Sequence, residues 1–241
     1  ANRALDEVCR AYNLPCISGK DSMKNDVVMY GEKISVPPTM LFSLIGNHVD
    51  VRKAVSSDFK KAGDLIYLLG ETHQELGASE LAFMLRDESD GMSGIGGDIP
   101  QIEAGRNMAM YRALTAAMSQ GLVASAHDCS DGGLAAALAE CCFGADSGAT
   151  IDIAGLESDC SHLDEWGALF GESLGRILVS IGANQEEAFL KAMAGNSCTL
   201  LGAVGEGDDI TINYRETEVL QASMDALRTA WQGTLDGGTN Q

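Results

Sequence analysis

The sequence predicts a layered α/β (α+β) protein in which a sheet packs against helices. Three observations carry this. From residue 59 onward, short apolar runs of strand length alternate with single stretches of helical periodicity, and one late strand pair breaks the alternation. Two of the runs, LIYLLG (65–70) and GRILVSIG (175–182), read as strands, the first of them buried. The composition, 45% hydrophobic and 21% charged over 241 residues, is too apolar for a disordered chain. A chain of this length buries on the order of 70% of its unfolded surface, enough for one large core or two modest ones.

The elements follow in order. ANRALDEVCRAY (1–12) reads as a helix already under way, with neither cap nor initiator methionine, which predicts that the protein continues upstream. Pro15 stops it. Cys16 and Ile17 read as a short buried strand entering a Ser-Gly-Lys-Asp-Ser turn. VVMYGEKISV (27–36) reads as a hairpin around Gly31, broken by Pro37-Pro38. TMLFSLIG (39–46) is an apolar run of strand length, and VDVRKAVS (49–56) follows it.

Gly63-Asp64 predicts a turn into the strand LIYLLG, and GASELAFMLRD (77–87) has helical spacing. Residues 88–98 are rich in Gly, Ser and Asp and read as a loop. A long helix is predicted over 102–120, with Gly121 closing it. LVASAHD (122–128) reads as a strand, SDGG as a turn and 134–143 as a helix. Then come a strand (149–156), a helix (162–173), a strand (175–182) and a helix (184–195) with Asn184 at its N-cap and Glu187 three residues on. Strands at 198–205 and 209–215 and a helix at 223–232 complete the pattern. Residues 235–241 read as a loose tail.

Charge and length exclude several classes. Sixteen Lys+Arg against 35 Asp+Glu give a net charge of −19. Nothing here would replace the counterions of a nucleic acid. No run approaches the roughly 18 unbroken apolar residues of a membrane helix, and no basic stretch followed by an apolar one reads as a secretory signal. The seven cysteines are odd in number and lack zinc spacing, which predicts reduced, mostly buried thiols in a cytoplasmic protein.

Two motifs suggest chemistry. In AHDCSDGGL (126–134) an apolar strand runs into two carboxylates, Asp128 and Asp131, oxygen ligands suited to Mg²⁺. Gly132 and Gly133 then let the backbone approach a ligand at a helix N-terminus, which favours an anion. The same residues also read as a capping box, with Ser130 or Asp131 on the following helix and no ligand at all. In SGKDSM (18–23) a Gly-Lys pair follows a strand. It is not a Walker A loop, since only Gly19 precedes Lys20 at usable spacing, and a plain polar turn is the competing reading. LFGESLGR (169–176) places Glu172 and Arg176 four apart, the spacing of a surface ion pair on a helix, although Gly175 ends the helix first. Glu71, His73, Glu75 and Glu80 in GETHQELGASE (70–80) allow a metal site to be drawn, against the alternative of a solvated loop. The other histidines have no assigned role.

In series, SGKDSMKND, PPTMLFSLIG, AGDLIYLLGET with ELGASE, SAHDCSDGGLAAALAECC and ALFGESLGRILVS resemble the second half of the phosphoribosylformylglycinamidine synthase family, within the aminoimidazole ribonucleotide (AIR) synthase-like superfamily. The likeness runs over about residues 1–232. It implies that 1–58 is the last part of an N-terminal-type domain and 59–234 a complete C-terminal-type domain. It implies a ligase that activates formylglycinamide ribonucleotide with ATP, releasing ADP, and uses ammonia from glutamine, with Mg²⁺ as the metal. Partners implied are the first half of the same enzyme and a glutaminase subunit or domain, and uncovered apolar surface predicts a homodimer. By the same resemblance Gly19, Lys20 and Ser130 contact nucleotide, Ser22 contacts substrate and Asp128 binds metal. Lys20 stands where some relatives have a metal-binding Asn. The catalytic histidine of the family belongs to the absent half. Alternatives are another superfamily enzyme (a thiamine-monophosphate kinase, selenophosphate synthetase or hydrogenase maturation factor) or a structural half with an auxiliary nucleotide site.

Overall fold

The computed structural model describes residues 2–20, 26–35, 39–85, 97–145, 147–158 and 160–233. The chain divides into two compact units, Ala1–Val51 and Arg52–Gln241. In the first, helix α1 (Asn2–Tyr12) precedes an antiparallel hairpin of β1 (Val27–Met29) and β2 (Glu32–Ile34), with Met29 opposite Glu32. The two loop residues, Tyr30 and Gly31, both have positive φ (54° and 83°), as a two-residue hairpin turn of the right twist requires. No residue of α1 is buried, and both strands are exposed. The expected strands at Cys16–Ile17 and at 39–46 do not form: both stretches are irregular and exposed.

The second unit is built on a seven-stranded sheet in the order β4-β6-β3-β7-β5-β8-β9. The strands are β3 (Leu65–Leu69), β4 (Ser125–Asp128), β5 (Ala149–Asp152), β6 (Ile177–Ile181), β7 (Cys198–Val204), β8 (Asp209–Tyr214) and β9 (Thr217–Ser223). All pairings are antiparallel except β5 with β8. The late strand pair expected from sequence is therefore corrected: β5 lies between β7 and β8, and β8 pairs instead with β9, a strand not anticipated.

Helices cover both faces. Along β3, Ile66 and Leu68 join one core with Leu134, Leu138 and Cys141 of α4 (Gly133–Phe143), Leu169 of α5 (Glu165–Phe170) and Met224 of α7 (Met224–Gly233). Tyr67 and Leu69 point the other way, to Met110 and Leu114 of α3 (Ala104–Ser119) and Phe189 of α6 (Glu186–Ala192). This is the period of two expected of a strand buried on both faces. Tyr67 crosses its layer to donate a hydrogen bond to Glu186 Oε1 at 2.5 Å.

Local rules set most boundaries. Helix α2 (Glu80–Met84) starts later than the pattern at 77–87 because Ser79 caps it, its hydroxyl accepting from Ala82 N at 3.2 Å, and residues 86–87 lie outside the described residues. Helix α5 starts only at Glu165, where Asp164 Oδ1 accepts from Gly167 N at 2.8 Å, and stops at the extended Gly171. Asn184 is not the cap of α6. A 3₁₀ turn at Ala183–Gln185 precedes that helix, and Gln185 stands at the boundary without a side-chain capping bond, its Nε2 donating instead to the Gly121 carbonyl at 3.0 Å. The buried cysteines lie in the α4 layer, where burial pushes Cys129 up to about 11 and Cys142 up to about 12, and raises Cys141 as well. Thiols held protonated in this way are inert at neutral pH. Among the described residues, no helix is long and apolar enough to cross a membrane.

Candidate functional site

The strand register gathers several loops at one end of the sheet. Asp128, the last residue of β4, lies opposite Ile177, the first of β6, while Leu69 at the end of β3 lies opposite both Ile177 and Cys198. The segments after β3 and β4 and before β6 and β7 therefore meet there.

Asp128 stands at this end on the edge strand, with its side chain 73% exposed. Ser130 donates its hydroxyl to Asp128 Oδ2, and this bond holds the carboxyl below the usual carboxylate range. His127, covered on most of its surface, has Nε2 2.9 Å from Glu140 Oε2 and Nδ1 2.6 Å from the Asp128 carbonyl oxygen. Both ring nitrogens thus face acceptors, and the ring braces the end of β4 against α4.

The two glycines that follow serve the fold. Gly132 and Gly133 have φ of 78° and 66°, which disfavours any side chain. A Cβ on Gly133 would stand 2.6 Å from the Gly171 carbonyl oxygen and 2.8 Å from that of Leu169. Their amides are already used: Gly132 N donates to Glu172 Oε1 at 3.0 Å and Gly133 N to the Ser130 carbonyl at 3.0 Å. Both sequence readings of this corner are corrected in part. The N-terminus of α4 carries no side-chain cap from Ser130 or Asp131, and these two amides are not free for an anion.

Glu172 supplies the negative charge. Its Oε1 accepts from Gly132 N and, at 2.9 Å, from Glu80 N, so that one carboxylate serves the starts of α4 and α2 together. The surface ion pair with Arg176 is a second correction. Arg176 is 1% exposed and turns inward, donating to the carbonyls of Gly171 and Ser173 and, at 3.4 Å, to Thr72 Oγ1. Ser173 Oγ accepts from His73 N at 3.1 Å. The 70–80 segment is accordingly a packed loop, with Thr72, Glu75 and Ser79 buried. Glu75 Oε1 fixes the approach to α3 by accepting from Gln101 N at 3.0 Å. Among the described residues, no three His, Cys, Asp or Glu side chains cluster as a metal site.

Beside this loop lies a cavity of about 370 Å³, lined in part by Glu71, His73, Arg106, Asn107, Ser173 and Ser197. Within the lining, Arg106 and Glu71 pair at 2.6 Å, and His73 Nε2 lies 3.7 Å from Glu71 Oε2. The first turn of α3 borders it, and Glu103 at that boundary makes no side-chain capping bond. A helix start, a carboxamide, two hydroxyls and a guanidinium already paired with Glu71 make a polar lining, in which Glu71 and Glu103 set two carboxylates against the one guanidinium.

Of the residues expected to form a site, the structure joins Asp128 and Ser130. Gly19 and Lys20 lie in the first unit, exposed in an irregular stretch, and Ser22 lies outside the described residues, as does most of the glycine-rich 88–98 stretch. Arg106, Asn107 and Ser173 were not anticipated as a group, because they are brought together from segments about 65 residues apart.

Comparison with known proteins gives a consistent picture. The family model "AIR synthase related protein, C-terminal domain" matches residues 61–215. The fold is similar to the crystal structure of phosphoribosylformylglycinamidine synthase II from Thermotoga maritima, at 18% identity over 73% of this chain and 28% of that one, with a TM-score of 0.61. It is similar to T. maritima PurL complexed with FGAR (18% identity, 73% of this chain, 30% of that chain, TM-score 0.65). The same holds for T. maritima PurL complexed with ATP (19%, 73%, 27% and 0.57). The chain thus spans less than a third of the length of each of these structures.

Proposed function

The chain belongs to the AIR synthase related proteins through their C-terminal domain, and on that premise we propose that it is part of an ATP-dependent carbon–nitrogen ligase of the phosphoribosylformylglycinamidine synthase type. In that reaction the amide oxygen of formylglycinamide ribonucleotide takes the γ-phosphoryl group of ATP, giving ADP. Ammonia released from glutamine then adds at the amide carbon, and phosphate leaves to give the amidine. The work asked of the protein is to hold and orient polyanions and to steady developing charge. Similar structures solved with ATP, ADP and FGAR support this substrate class.

The observation that carries the reading is Asp128, which is ionised and exposed at the end of β4, at the same end of the sheet as the loops that line the cavity but outside the cavity's own lining. Magnesium beside a nucleotide is usually held by one or two carboxylates, with phosphate oxygens and water completing its shell. Asp128 fits that mode. Bound there, the ion would neutralise phosphate charge. With no three-ligand cluster among the described residues, Mg²⁺ should bind only together with the nucleotide. Ser130, now bonded to Asp128, would turn toward a phosphate. Gly19 and Lys20 would contact nucleotide and Ser22 the substrate. Residues 1–58 would complete a site with the first half of the enzyme, and a glutaminase subunit or domain would deliver ammonia.

A second reading, a structural half with an auxiliary nucleotide site, is favoured by Glu172, which fills two helix starts as a bound anion otherwise would. Calorimetric titration with ADP addresses the site common to both readings. Mg²⁺ should tighten ADP binding by about tenfold, roughly 1.4 kcal/mol, and Asp128→Asn should abolish that gain. A magnesium effect that survives Asp128→Asn removes the role of Asp128. Turnover of the assembled enzyme carrying the same substitution then separates a catalytic from an auxiliary site.

A further inference from the structure

The first unit contains a pair of thiols in contact. Cys9 Sγ lies 3.7 Å from Cys16 Sγ. The approach is built into the backbone. Helix α1 closes with Asn13 in the left-handed region (φ 54°), Leu14 N donating to the Cys9 carbonyl at 2.9 Å and Asn13 N to that of Arg10 at 3.2 Å. This is the Schellman closure, with asparagine at the position that tolerates positive φ. Pro15 then prevents a return to helix. The chain therefore turns back over the last turn of α1 and sets Cys16 beside Cys9.

Accessibility divides the thiols. Cys16 is exposed and Cys9 half-buried, whereas Cys129, Cys141 and Cys142 are buried. Closing the sulfur separation to the roughly 2.05 Å of a disulfide asks for rotation of two side chains, one of them on an irregular exposed stretch.

We propose that Cys9 and Cys16 are a reversible dithiol–disulfide site, oxidised by a low-molecular-weight disulfide of the glutathione class. The Cys16 thiolate attacks one sulfur of glutathione disulfide, breaking its S–S bond, forming a mixed disulfide and releasing one glutathione thiolate. The Cys9 thiolate then attacks the Cys16 sulfur, forming the internal disulfide and releasing the second glutathione. Two protein thiols are oxidised, one glutathione disulfide is reduced to two glutathiones, and the two protons pass to solvent or to the departing thiolates. The contact with Cys16 raises the Cys9 thiol above its ordinary value, so the first attack falls to the more exposed Cys16. The bond closes residues 9–16 into a ring and restrains the stretch leading to Gly19 and Lys20. Its formation does not depend on the ligase reading.

Trypsin gives a direct test, because Arg10 separates the two cysteines. Cleavage after Arg3, Arg10 and Lys20 yields peptides 4–10 and 11–20, one cysteine in each. After incubation of the full chain with glutathione disulfide and alkylation of remaining thiols, mass spectrometry should find these two peptides joined. The joined species should be two hydrogens lighter than their sum and should disappear with reductant. Cys9→Ser should lose it and leave a persistent glutathione adduct on 11–20, and Cys16→Ser should lose it as well. Three results overturn the proposal: a stable glutathione adduct on 11–20 of the unsubstituted chain with 4–10 alkylated, both peptides alkylated, or the linkage found only between two chains on non-reducing electrophoresis.

Discussion

Residues 65–69 and 39–46 carry the same kind of apolar run, LIYLL and TMLFSLIG, with opposite outcomes. The first is β3, paired on one side with β6 and on the other with β7, with four of its five residues buried. The second has no regular structure, and Leu41, Leu44 and Ile45 are 87%, 79% and 90% exposed. Apolar content is common to both. The difference is that β3 has neighbours that take up its backbone N–H and C=O groups and helices that cover both its faces. The only strands described in the first unit form a two-stranded hairpin, and an isolated hairpin is at best marginally stable in water. A hydrophobic run is an offer of a strand, and partners elsewhere in the protein decide whether it is taken up.

The largest effect should come from the packed run. Leu68→Ala removes a fully buried side chain between β3 and α4, and we expect a loss of about 3 kcal/mol, within the usual 2–5 for such truncations. Urea unfolding should show a lower midpoint with an unchanged slope. A loss under about 1 kcal/mol would mean that the two-faced core is looser than its burial implies.

A smaller effect sharpens the contrast at the loops. Glu172→Ala leaves Gly132 N without its acceptor at the start of α4, while Glu80 N at the exposed start of α2 can turn to water. We expect about 1.5 kcal/mol of destabilisation, the cost of a lost hydrogen bond to a charged group. Glu172→Gln should recover more than half of it, since a carboxamide oxygen still accepts. Equal losses in the two variants would show that charge at the helix starts, rather than the hydrogen bond itself, is what matters. The comparison can be read from urea midpoints at neutral pH.

How much of this was legible in the sequence depended on whether the deciding contact was local. Two hairpins use the same two-residue turn with both residues at positive φ: Tyr30-Gly31 and Arg215-Glu216. Gly31 announces the first. Nothing announces the second, because Arg and Glu reach φ of 50° and 66° only under the pull of the β8–β9 ladder, and β9 went unseen with it. At the candidate site, the strand ending in Asp128 and the Ser130 beside it were readable from nine consecutive residues. The use of Gly132 and Gly133 was not, since it depends on Glu172 and Gly171, about 40 residues further on. The cavity was hidden for the same reason: its arginine and asparagine stand on the first turn of α3, its hydroxyls before β6 and β7, and only the sheet register aligns them.

The smallest effect tests the other half of the comparison. Ile45→Ser exchanges a 90% exposed side chain for a polar one in the run that found no partners. With almost no apolar surface to lose from a core, the change in unfolding free energy should stay within about 0.5 kcal/mol. A β-branched residue in a formed strand would behave differently, losing both burial and ladder preference. Should Ile45→Ser cost more than about 1.5 kcal/mol, a value typical of a buried apolar side chain, the run must be covered in solution. Repeating the measurement over a wide range of protein concentration then identifies the cover: a cost that grows with concentration is an interface between two copies of the chain, and a constant cost is packing within one. A result near zero at every concentration shows that Ile45 adds no apolar stabilisation and leaves it in an unpaired strand sequence.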